Sequence, residues 1–257
     1  MYLHGVSAVR ALTVALFLFI SGFAHAVPAF VQANGEDSGT LSSDTLAFTS
    51  NLSANSAICA IARIGSGTDE ITSMSDDHSN TWARAHIQRD PAGHTQDIWC
   101  AYNATAGACT VTINLSSSQS LRWGVYEASG FTSVSVDVST GALGSSTTPN
   151  SGSVTPSFSN ALAIAVADVN NNEDFTADSP FTERLEIVQK FAISDYVIPS
   201  PASTSGSWTI SASDNWGASI IILAGSDSGS SSAGKINTTT GSGSITTVTG
   251  SGKITIQ

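Results

Sequence analysis

Residues 184–193 read RLEIVQKFAI. Leu185, Ile187, Phe191 and Ile193 fall on one side of an extended chain, and Arg184, Glu186 and Lys190 on the other. A period of two marks a strand with one face in a core and one in water. Before it, ALAIAVA (161–167), and after it, SIIILAG (219–225), are apolar on both faces. Such runs read as central strands covered on each side. Shorter β-prone runs precede them, from TLAFTSNL (45–52) and SAICAIARI (56–64) to SLRWGVYEA (120–128) and SVSVDV (133–138), and SWTISA (207–212) lies between. GSGTD, DPAG, TAGA, SGFTS and DNWG supply the turn chemistry. Helical periodicity is nearly absent after residue 26. Residues 27–225 therefore read as all-β: a two-sheet antiparallel β-sandwich, jelly-roll-like.

The flanks read differently. Residues 1–26 combine Arg10, an apolar run from Ala11 to Phe23 and the small-x-small AHA (24–26), the pattern of a secretory signal peptide. The apolar run is short for a membrane span, so no span is expected after cleavage. Residues 226–234, SDSGSSSAG, read as a Gly/Ser linker. Residues 235–257 carry Ile236, Ile245 and Ile254 at a nine-residue interval between Gly turns, a repetitive β-rich tail too small to fold alone. Such a tail docks on the main domain, stays loose, or joins copies of the chain into a homo-oligomer.

The chain of 257 residues has a formal charge of −11. Removing the leader takes away Arg10 and no acid. Nucleic acid is not an expected partner, since no basic footprint exists for phosphate. Three cysteines occur, Cys59, Cys100 and Cys109. Export favours a bridge. Cys100 and Cys109 flank AYNATAGA, which reads as a hairpin connection, so Cys100–Cys109 is the preferred pairing, with Cys59–Cys100 and three free thiols as alternatives.

Two polar stretches raise the question of metal. SDDHSNTW (75–82) offers Asp76, Asp77 and Asn80 as oxygen ligands for a structural Ca²⁺, and also reads as a hairpin turn leading into Trp82. DVNNNEDFTAD (168–178) places Asp168, Asn170 and Asn172 at positions 1, 3 and 5 of an EF-hand-like loop, but Glu173 and Ser179 stand where the loop needs Gly and Glu. No other cofactor is expected. His78, His86 and His94 are spaced by eight, and no close histidine pair suggests zinc. Glu127 in WGVYEASG is the best candidate for a glycosidase carboxylate, but nothing designates the second carboxylate such chemistry needs. No catalytic residues are assigned. Trp216, with Asp214 and Asn215 in SDNWG, is the best candidate for a carbohydrate-binding platform, although a core role for this tryptophan is the commoner outcome.

The order of ITSMSDDHSNTW (71–82), IWCAYNATAGACTVTI (98–113), VYEASGF (125–131) and DNWGASIIIL (214–223) resembles a largely uncharacterised family of bacterial secreted and phage-associated β-sandwich domains. The resemblance covers roughly residues 35–225. It departs at Ser79, where the family has Gly, and at Cys100, where it has an aromatic. It implies a sandwich in an extracellular surface protein and carries over no catalytic residue. The expected function is a secreted, non-enzymatic binding module for glycan or cell-surface components. The alternatives are a structural protein of a virion or extracellular filament assembling through 235–257, and a glycoside-active enzyme.

Overall fold

The computed structural model describes residues 27–90, 93–131 and 133–225. The leader (1–26), linker (226–234) and repetitive tail (235–257) lie outside the described residues. Within them are thirteen strands and no helix. The strands are β1 (Ala29–Ala47), β2 (Ala57–Ile64), β3 (Ile71–Asp76), β4 (Trp82–Arg89), β5 (Thr95–Ala101), β6 (Thr110–Ser129) and β7 (Ser135–Ser146), followed by β8 (Ala161–Val169), β9 (Phe175–Ala177), β10 (Thr182–Ile187), β11 (Phe191–Ile198), β12 (Trp208–Ile210) and β13 (Asp214–Ala224). One sheet runs β1-β6-β2-β5-β4, with β3 also on β6, and the other β10-β11-β8-β13-β7. Strands β9 and β12 form a separate pair. All pairings are antiparallel. The expected two-sheet antiparallel sandwich is what forms, and the chain completes the first sheet before starting the second.

The doubly apolar strands have no solvent face. All residues of β2 and β8 are buried. In β8, Leu162, Ile164 and Val166 enter the core between the sheets, where they meet Cys59, Ile61 and Tyr126 of the first sheet. Ala161, Ala163, Ala165 and Ala167 face outward and are covered by Val154, Phe175, Trp208 and Ile210. Gly206 lies so close beneath this cover that a Cβ there would stand 2.3 Å from that of Ala165.

The first sheet is covered by part of itself. The β1–β6 ribbon is regular from Ala29↔Ser129 to Leu41↔Gln119 apart from single-residue bulges, then jumps to Ser43↔Asn114. Beyond the jump, the ribbon's distal half and β3 carry Leu46, Ile71, Val111 and Ile113 onto the outer face, against Ile58, Ala60, Ala62 and Trp123. Asp69 holds the corner: its carboxylate accepts hydrogen bonds from Ser116 (2.8 Å), Ser117 (2.8 Å) and Gln119 (3.0 Å).

Two expectations are corrected. RLEIVQKFAI is a hairpin and not one strand. Lys190 N–H donates to the Ile187 carbonyl (3.0 Å), and the residues between, Val188 and Gln189, have φ of 47° and 57°. Positive φ at both central positions is the turn that matches strand twist, usually supplied by Asn-Gly. The apolar parity of β10 continues into β11, so the alternation conceals the turn. The disulfide is Cys59–Cys100, not Cys100–Cys109. Cys59 and Cys100 are direct partners on β2 and β5, facing the core between the sheets, whereas Cys109 is a buried free thiol in the outer cluster of the first sheet. Among the described residues no helix is long and apolar enough to cross a membrane.

Two outcomes are expected. Val188 is 46 % exposed, so Val188→Asn relieves its left-handed backbone without loss of packing and raises unfolding free energy by about 1 kcal/mol, read by urea denaturation. Non-reducing peptide mapping should recover Cys59 linked to Cys100, and the double alanine variant of that pair should lose roughly 2–4 kcal/mol.

Candidate functional site

A cleft of about 380 Å³ opens between the start of β1 and the open end of the β10–β11 hairpin. Pro28 and Phe30 line one side, Pro180, Thr182 and Arg184 the other, and Leu162 lies among the lining residues. Arg184 reaches the cleft through a β-bulge. Glu183 pairs with Ser194 and Leu185 with Ile193, which leaves Arg184 as the extra residue. A bulge re-aims a side chain that strict alternation would send elsewhere. Arg184 Nε and Nη2 both lie 2.9 Å from Asp195 Oδ1. The guanidinium stacks over Phe30, 4.3 Å from the ring centroid, a cation–π contact. The hydroxyl of Tyr126 donates to Asp195 Oδ2, and Tyr126 packs against Phe30 at 5.4 Å between ring centroids. Burial, then the Asp195 charge, push the Tyr126 phenol well above its ordinary pKa, so it remains a donor. Asp195 is almost fully buried, while Arg184 keeps 28 % of its side chain exposed.

A second polar group lies elsewhere between the sheets. Arg63 Nη2 donates to the Val169 carbonyl (2.9 Å) and to His94 Nε2 (2.5 Å). Arg63 Nε stands 3.9 Å from Asp168 Oδ2, and both atoms are buried without a hydrogen-bond partner. Asp168 Oδ1 accepts from Gly217 N–H (3.0 Å). Gln96 donates to the Gly217 carbonyl (2.9 Å) and accepts from the Ser219 hydroxyl (2.5 Å). Burial drives the Asp168 carboxyl up to about 6 against the opposing pull of Arg63. Burial, then the Arg63 charge, lower His94 to about 3, so its ring is neutral and accepts at Nε2. This group joins the two sheets. It lines no cleft described above.

The residues singled out in the sequence are placed as follows. Trp216 is only 9 % exposed; its Nε1 donates to Ser146 (3.0 Å) and its ring covers Gly144, so it belongs to the outer core and offers no exposed platform. Asp214 accepts from Asn171 N–H (2.6 Å) and Nδ2 (3.1 Å), and from Asn215 N–H (2.8 Å), fastening the 170–173 loop to the start of β13. Asp168 faces Arg63 inside the sandwich while Asn172 is exposed, so the 168–172 positions do not form one oxygen cage; Asn170 contributes its carbonyl to Lys190 (2.5 Å).

In the 75–82 turn, both Asp76 oxygens are occupied. They accept from His78 N–H (2.9 Å), Asn80 N–H (3.0 Å), Asn80 Nδ2 (2.9 Å) and Trp82 Nε1 (2.8 Å). Ser79 sits at φ 58°, in the left-handed region that Gly enters most readily. Asn80 Oδ1 accepts from Thr105 N–H (3.1 Å) and Asp77 Oδ1 from Thr110 N–H (3.1 Å). The Asp76 oxygens, Asn80 Oδ1 and Asp77 Oδ1 thus serve N–H donors that hold the turn. Glu127 is fully buried and holds Ser53 N–H (2.7 Å) and Gln32 Nε2 (2.7 Å), a role in fixing the loop after β1.

Comparison with protein-family models, curated proteins and solved structures finds no match for this chain.

The Asp168 site makes stability depend on pH. Its folded value of about 6 lies above the roughly 3.9 of an unfolded aspartate, so the folded chain holds the proton more tightly. That contribution is complete below the unfolded value and is lost as pH rises through the folded one. Between those values the wild type should lose about 3 kcal/mol relative to Asp168→Asn, whose slope from this position is absent. Urea midpoints of both proteins on either side of the window read the difference; parallel slopes would show that Asp168 titrates normally.

Proposed function

We propose that this chain is an exported, non-enzymatic binding module whose Arg184 cleft takes one sugar unit of a surface glycan. The bulge at Arg184 carries the reading. It turns a cation into a cleft, fixes it with Asp195 and Phe30, and leaves part of the guanidinium exposed. A held planar donor beside apolar Pro28, Pro180 and Leu162 suits a ligand with hydroxyl oxygens on one edge and C–H groups on a face. The formal charge of −11 disfavours polyanions, so the ligand class is neutral glycan. The Cys59–Cys100 bridge, the leader pattern and the resemblance to secreted and phage-associated domains support an extracellular setting.

The test is a broad glycan array followed by affinity measurement. Selective binding is expected, weakened at least about tenfold by Arg184→Ala, or about 1.4 kcal/mol. Thr182→Trp, which fills the cleft and leaves the Arg184–Asp195 pair in place, should weaken it equally. Binding that survives both variants, or no glycan bound at all, overturns the proposal.

A further inference from the structure

A second cluster lies where the β3–β4 turn meets the β5–β6 loop. Ligand atoms of Asp77, His78 and Cys109 all fall within 4.8 Å of one another. The two segments are tied together by hydrogen bonds of backbone N–H groups. Asp77 N–H donates to the Thr110 carbonyl (3.3 Å), Thr110 N–H to Asp77 Oδ1 (3.1 Å), and Thr105 N–H to Asn80 Oδ1 (3.1 Å). The Asp76 carboxylate, with its four N–H donors, locks the turn from beneath. His78 Nδ1 lies 3.1 Å from the Thr105 carbonyl, which fixes the proton on Nδ1 and leaves the lone pair on Nε2. A metal-ligating histidine characteristically donates its other ring nitrogen in this way. Gly107 lets the loop backbone lie against the ring: a Cβ there would be 3.1 Å from His78 Cε1.

We propose that Asp77, His78 and Cys109 bind one Zn²⁺ through a carboxylate oxygen, an imidazole nitrogen and a thiolate, with a fourth position open to water. Atoms bound to one Zn²⁺ at about 2.0–2.3 Å stand roughly 3–4 Å apart, so small side-chain adjustments close the set. Nitrogen and sulfur donors select zinc over Ca²⁺, which takes oxygen alone. Asp77 thus belongs to a different constellation from Asp76 and Asn80. Binding replaces the Sγ–H bond of Cys109 with Sγ–Zn and releases one proton to solvent. A free cysteine thiol is mostly protonated at neutral pH, so the metal-free site carries that proton. The sequence conceals the cluster because His78 and Cys109 are 31 positions apart and neither sits in a paired motif.

Co²⁺ is the probe, titrated into the full chain with its disulfide intact. Expected are a near-ultraviolet sulfur-to-cobalt charge-transfer band saturating at one metal per chain, and its displacement by Zn²⁺. Titration calorimetry in buffers of different ionisation heat should show one proton released per metal. Zn²⁺ should raise the melting temperature by several degrees, as any ligand of the folded state does. Cys109→Ser should abolish the band, and His78→Gln should weaken binding at least tenfold. Absence of the band together with no Zn²⁺-induced shift overturns the site, and leaves Cys109 as a thiol hydrogen-bonded to Asp77. So does a Zn²⁺-induced shift of equal size in wild type and variants. If Cys109→Ser does not fold, His78→Gln decides alone, because its ring lies in a partly exposed turn.

Discussion

Strands β2 and β8 have no face in water, and most of the architecture answers to that constraint. A sheet whose central strands are apolar on both sides needs a cover on each. The second sheet recruits β9, β12 and the segments around Val154 and Trp208, while the first bends its own long ribbon back over itself. Side-chain size is divided accordingly. Alanines occupy the outer side of β8, where a tryptophan and a glycine-bearing loop press close, and Leu162, Ile164 and Val166 fill the space between the sheets. Close packing of this kind leaves little tolerance for a changed volume at either side.

Burial on every side also decides what charged residues can do. Each buried carboxylate takes hydrogen bonds from a neighbouring element. Asp97 accepts Ile71 N–H (2.9 Å) at the start of β3 and pairs with Arg84 (3.0 Å), although burial pushes its pKa upward. Glu127 holds the loop after β1, and Asp168 holds β13 through Gly217. The acids of the central strands therefore act as pins for covers and neighbours. Asp97 and Asp195 both pair with a partly exposed arginine, and Asp195 differs in that it and Arg184 line a cleft.

The strands buried on both faces are legible because an unbroken apolar run such as ALAIAVA (161–167) carries its message locally. β1 is not. Its Gly-, Ser- and Asp-rich residues lie along a sheet edge, and bulges at Val31, Ser38 and Ser42 break any alternation. The β10–β11 turn is hidden in the sequence because Val188 and Gln189 lack turn chemistry and the apolar parity runs straight through them. The bulge that places Arg184 depends on pairing with β11, which no single strand encodes. Trp216, by contrast, sits in a stretch rich in turn residues yet is buried, because β7 supplies Gly144 as its bed. The expected cysteine pairing rested on separation along the chain, whereas the actual one follows cross-strand register.

That register places the two kinds of cysteine sulfur on opposite sides of a sheet. Cys59 and Cys100 are fully buried in the layer between the sheets, and Cys109 lies in the layer outside the first. The sheet itself is then a partition between a thiol and a disulfide in one molecule. Exchange between them needs the thiolate to reach a bridge sulfur, and no local fluctuation of a loop brings the two layers together. Shuffling to another pairing is accessible only while β2 and β5 are apart. Once they are zipped, the folded chain keeps an unpaired cysteine beside a bridge without scrambling its own connectivity.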